Sequence, residues 1–112
     1  MRPKDGFIAL CYILAKVDQV LVPEETLTIL DELHRYGFDR EDIRRVHTKF
    51  DNLNPELAMS YGVIAMSAAT QLDEASKRSL ITALQHVARA DGRVDNSEVE
   101  LLKNIKVALN IE

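Results

Sequence analysis

Apolar positions recur along the chain at helical spacing, with no sustained alternation of the kind a strand requires. The pattern predicts six helices. The first, about Lys4 to Gln19, is apolar on nearly every face and is expected at the centre. The second opens at Pro23, where a missing N–H costs nothing, and ends at Gly37. There the glycine is expected to take the left-handed position, with Phe38 folding back on Leu33. Asp39 caps a third helix, whose stripe is Ile43, Val46, Phe50 and Leu53. Asn54-Pro55 announces the fourth, to about Thr70, apolar in several directions: Leu57, Met59, Tyr61, Val63, Ile64 and Met66. Too many faces are apolar for one ordinary stripe, so this helix is either central or half of a self-association surface. Asp73 caps the fifth, with Leu80, Ile81, Leu84, Val87 and Ala88 inward. Asp95, with Glu98 three residues on, forms an acidic capping box for the sixth, which turns Leu101, Leu102, Ile105 and Leu109 inward.

The expected architecture is an all-α single domain over residues 1–112, made of two helical-hairpin halves. A shift of 73 residues lays Phe7–Glu25 on Leu80–Glu98 without a gap: Ile8 meets Ile81, Ala15 meets Ala88, Asp18 meets Asp91 and Glu25 meets Glu98. Residues 7–36 and 80–109 are therefore expected to form hairpins related by a pseudo-twofold axis. Leu80, Leu84, Val87, Leu102 and Ile105 should share one core with Ile8, Leu14 and Leu30.

Composition narrows the function classes. The chain has 112 residues, enough for one core without metal or disulfide staples. Three Phe, three Tyr and no Trp make that core aliphatic. A net charge of −4 argues against a nucleic-acid surface. The single cysteine, Cys11, excludes an internal disulfide and suits the reducing cytoplasm. Phe7–Ala15 has the outline of a secretion signal, but it is too short to span a bilayer. Lys16 and Asp18 close it where a small-x-small cleavage site would follow, so a core helix is expected instead. Cys11 then reads as a core thiol.

Candidate chemistry is sparse. His34, His47 and His86 share no metal-ligand spacing and read as solvated or capping residues. Arg40, Arg44, Arg45 and Lys49 hint at a phosphate-binding face, but Asp39, Glu41, Asp42 and Asp51 offset them within the same segment. No glycine-rich phosphate loop or nucleophile elbow appears, and no enzyme is expected. Asp91-Gly92-x-Val94-x-x-x-Glu98 has the shape of the back half of a calcium-binding EF-hand loop. The front half fails, because its first and third ligands would be Val87 and Arg89.

A helix ending in Ala88-Arg-Ala-Asp91-Gly-Arg-Val-Asp95, followed by a helix with Glu98 in its first turn, resembles the signature of the TerB-like family. Ala15-Lys-Val-Asp18 through Glu25 is a weaker echo of it. The resemblance implies an all-helical fold of two similar halves, a role in tellurite or other stress resistance, and a divalent-cation site on acidic residues. Asp91, Asp95 and Glu98 match in the second half. In the first half Asp18 and Glu25 match, while Gln19 replaces the glycine and Val22 stands in the place of Asp95.

Carboxylates suit calcium or magnesium, and no Cys/His cluster suggests structural zinc. The same carboxylates also serve as ordinary helix caps and turn residues. Crowding favours a cation: Asp18 to Glu32 holds five acidic residues and no basic one, and Asp91 to Glu100 holds four against Arg93. The expected molecule is a non-enzymatic interaction or cation-binding module whose partners are other proteins or a second copy of itself, without nucleic acid or a transmembrane segment. The alternative is a small metal-dependent enzyme using Asp91, Asp95 and Glu98.

Overall fold

The structure is a computed structural model describing residues 1–16, 23–89 and 96–111; within these, the side chains of 15–16, 23–26, 55, 58–59 and 96–98 fall outside the description. Its helices are α1 (Pro3–Lys16), α2 (Pro23–Arg35), α3 (Arg40–Asp51), α4 (Pro55–Ala69), α5 (Glu74–Ala88) and α6 (Asn96–Ala108). No strand occurs among the described residues.

Local chemistry sets the boundaries. The side chains of Asp39, Asn54 and Asp73 accept hydrogen bonds from the backbone N–H of Asp42, Leu57 and Ser76 at 2.7, 2.9 and 2.7 Å, filling orphan donors at the starts of α3, α4 and α5. Gly37 lies at φ +86° and closes α2 as expected: its N–H donates to the His34 carbonyl, and the Phe38 N–H donates to that of Leu33. The end of α1 expected near Gln19 and the Asp95 cap of α6 lie outside the described residues.

Helix α1 is the central element, packed on each of the other five. Asp5 to Tyr12 and Leu14 are all buried along it, as an all-round apolar helix demands. Its largest contact is with α4, which turns Tyr61, Ala65, Ala68 and Ala69 inward. Small residues let the two backbones close up. A Cβ at Gly6 would stand 2.6 Å from the Ala65 carbonyl oxygen. The expected shared core is present: Ile8, Leu14, Leu80, Leu84, Val87 and Ile105 are buried, and Leu30 and Leu102 pack against them half-buried.

The halves correspond at the spacing of 73. Phe7, Ile8, Leu10, Cys11 and Leu14 are buried, and so are their counterparts Leu80, Ile81, Ala83, Leu84 and Val87. Helix α2 packs on α5, and its counterpart α6 packs on α1. The hairpin ends agree bond for bond. Tyr36→Glu32, Gly37→His34 and Phe38→Leu33 recur as Leu109→Ile105, Asn110→Val107 and Ile111→Lys106. Asn110, at φ 62°, takes the left-handed place of Gly37. Asparagine is among the few other residues that tolerate it.

Candidate functional site

The sequence places its chemistry in the two inter-helix turns. Asp18, Asp91 and Asp95 lie outside the described residues, as do the side chains of Glu25 in α2 and Glu98 in α6. What the structure places is the scaffold that holds them. The turns join α1 to α2 and α5 to α6, and the four helices pack as α1 on α5, α2 on α5 and α6 on α1. Among the described residues, no group of three or more His, Cys, Asp or Glu side chains stands close enough to hold a metal ion.

Two buried carboxylates escaped the sequence reading. Glu32 on α2 is only 4% exposed and lies against α5, where His86 Nδ1 stands 2.7 Å from its Oε1. Arg35 reaches the same oxygen at 3.5 Å, and Oε2 is buried with no hydrogen-bond partner. His86, expected to be solvated or capping, keeps a side chain that is 41% exposed but also clamps α2 to α5, a pairing the sequence reading did not indicate. The 73-residue shift held the clue, since it sets Glu32 opposite Ile105, a core position. Asp5 on α1 is 6% exposed and receives both guanidinium nitrogens of Arg45 at 2.9 and 3.2 Å. Paired forks of this kind are among the stronger polar contacts a fold can make.

Asp42 on α3 extends that cluster. Lys4 Nζ donates to it at 2.8 Å, and Arg45 at 3.0 Å. Those hydrogen bonds, Lys4 first, hold its carboxyl down to about 2. Of the α3 cations, Arg45 is thus offset by acids, one on its own helix and one on α1, while Arg40, Arg44 and Lys49 pair with no carboxylate among the described residues.

The remaining candidates are structural. Cys11 is fully buried, and burial, reinforced by the nearby Glu32 charge, raises its thiol well above the ordinary range. A thiol held neutral is a poor nucleophile. Tyr12 stacks on the His47 ring at 4.4 Å and 7°, with its hydroxyl buried and without a partner. Burial, ahead of the charges of Cys11 and Asp51, pushes that hydroxyl up to about 12. His47 also pairs with Asp51 at 3.1 Å. His34 is exposed, as expected.

Helix α4 packs on the central α1 with one face and leaves apolar residues exposed on another. Tyr61 is buried, while Leu57, Val63 and Ile64 are 53, 71 and 50% exposed; the Met59 side chain lies outside the description. No helix among the described residues is long and apolar enough to cross a membrane.

No curated protein and no solved structure matches this chain. A family model described as tellurite resistance protein TerB matches residues 4–112, from the first turn of α1 past the end of α6. That span takes in both hairpins and both acidic turns, and the chain belongs to the TerB family.

Proposed function

We propose that the chain is a non-enzymatic TerB-family module acting in tellurite or other stress resistance in the cytoplasm. In this reading it holds a divalent cation, calcium or magnesium, on Asp91, Asp95 and Glu98. Asp18 and Glu25 are helpers from the other half. The observation that carries the reading is the family match, which runs through both acidic turns instead of stopping at one hairpin. Oxygen ligands suit hard cations. Helix N-terminal N–H groups oppose the ion, so affinity is weak unless both halves contribute. The exposed Leu57, Val63 and Ile64 support a protein partner, whether another chain or a second copy.

Isothermal titration with calcium and magnesium, beside Asp91→Asn, tests the cation. Asparagine keeps the turn but loses the charge. Heat from the parent that Asp91→Asn abolishes, with an unchanged helical spectrum, is the expected result. No heat, or equal heat from both, makes the acidic turns helix caps only.

A further inference from the structure

Helices α3 and α4 both pack on α1 but hardly touch each other; Phe50 against Tyr61, 6.4 Å between ring centres, is their aromatic contact. Beside it lies an open groove of about 650 Å³. Val46, Tyr61 and Ile64 line it with apolar surface, and Arg2, Arg45 and Lys49 line it with positive charge. Asp5 is the groove's one acidic residue; Arg45 and Arg2 both pair with it, and both also pair with Asp42. Arg2 and Arg45 thus share two acids, and Lys49 is the groove cation with no carboxylate partner among the described residues, in a chain of net charge −4.

Lys49 has spare capacity. Its described partner is the Tyr61 ring, 5.6 Å from Nζ, and no carboxylate among the described residues pairs with it. On the opposite wall, α4 carries one charged residue, Glu56, between Pro55 and Ala69. It presents Leu57, Val63 and Ile64 to solvent. One wall is thus apolar and nearly uncharged, and the other offers the unpaired charge of Lys49. Interface cores are depleted of charge, and their rims are polar.

We infer that this α3–α4 groove docks an acidic amphipathic helix of a partner protein. An apolar stripe at helical spacing packs on Ile64 beside the edge of Tyr61, with Leu57 one turn beyond them, and carboxylates along one flank meet Lys49. A helix laid in a groove is read through just such i, i+3/i+4 anchors. A small anion would leave the apolar wall bare. A lipid surface is disfavoured because α4 carries Glu56 and has neither a cation nor an exposed aromatic on its outward face. The proposal is independent of the cation site, and its test is run in chelator.

The probe is a displayed library of helical peptides with leucine fixed along one face and the flanking positions randomised. Selection on the full chain should enrich Asp and Glu on one flank. Lys49→Glu and Ile64→Asp should each weaken the selected peptides by roughly tenfold, the size expected when a principal anchor is lost. Lys103→Glu, on the exposed face of α6, should bind like the parent. Unchanged thermal midpoints must accompany both losses. The inference is overturned if no peptide is enriched, if the flanks come out neutral or basic, or if both groove variants bind like the parent. It is equally overturned if sedimentation shows a dimer that Ile64→Asp dissolves, or if phosphatidylserine vesicles bind the parent but not Lys49→Glu.

Discussion

The two glycines of the α1–α4 pairing should respond in opposite directions to the same substitution. At Gly6 a methyl carbon would stand 2.6 Å from the Ala65 carbonyl oxygen and 3.1 Å from both Ala68 Cβ and Ala69 N. Two of these three atoms are backbone, so no side chain can swing aside. Ordinary contact starts near 3.4 Å, so the helices must part by roughly 0.8 Å along their most extensive interface. Overpacking of this kind costs about 1–3 kcal/mol. Alanine returns about 0.5–1 kcal/mol through its better helix propensity. The difference leaves Gly6→Ala destabilising by about 1 kcal/mol, and by up to about 2.5 kcal/mol. At Gly62 the nearest atom to the new methyl is Ile13 Cδ1, at 3.6 Å, an ordinary contact. Only the propensity gain remains, so Gly62→Ala should stabilise by about 0.5–1 kcal/mol. Urea unfolding followed by circular dichroism reads both, provided the slope with denaturant is unchanged. A Gly6→Ala protein as stable as its parent would refute the claim that backbone approach at this glycine sets the seating of α1 on α4.

Three further outcomes are expected. Glu32→Leu should be neutral or up to about 2 kcal/mol stabilising at neutral pH, because a half-satisfied buried carboxylate is exchanged for an apolar group while His86 can turn to water; a marked loss in thermal unfolding would show that the clamp is a net gain. Tyr12→Phe keeps the stack on His47 and removes an orphan hydroxyl, so stability should hold or rise by about 1 kcal/mol, and a loss beyond that in the same assay would mean the hydroxyl is bonded. Asp42 titrates near 2 in the folded chain against 3.8 ordinarily, so its contribution is present above pH 4 and fades as the pH falls toward 2. The stability gap between parent and Asp42→Asn, read from urea midpoints across pH, should follow that window, and a gap that widened on acidification would contradict the assignment.

The fold was legible because each helix carries its own punctuation. Asp39, Asn54 and Asp73 before apolar stripes, and Gly37 before Phe38, are local signals with a local physical cause, and each acts in the structure as its chemistry requires. The central place of α1 followed from the same logic, since a helix without a polar face has no side to give to water. Pairings that cross between helices were less legible. Arg45 counted in sequence as one charge among offsetting neighbours on α3, yet its main partner is Asp5, forty positions away in α1. Glu32 counted in sequence as one of five acids running from Asp18, and His86 as a solvated or capping ring. Neither residue type nor helical phase says that a carboxylate will be covered by another helix. The candidate site rests on a motif and on the family, and Asp91, Asp95 and Asp18 lie outside the described residues.

The repeat explains why one of these misses was recoverable. An ungapped register over Phe7–Glu25 rests on few identities, but when carried to the hairpin ends it lays Gly37 on Asn110 and Phe38 on Ile111. Both pairs close a helix with the same hydrogen bonds. Asparagine for glycine preserves the left-handed turn, and isoleucine for phenylalanine preserves the apolar residue that folds back, so physical equivalence survives where identity does not. With the register in place, each half becomes a template for the other, and departures from it gain meaning. Glu32 opposite Ile105 is such a departure: a position whose counterpart is apolar and buried carries a charge, still buried, that must find a partner. It finds His86, on the helix equivalent to its own neighbour α1. Val22 opposite Asp95 is another. It removes a carboxylate from one acidic turn and leaves it in the second, so any cation shared by the halves would have to be held unequally, with the stronger ligands coming from the turn before α6.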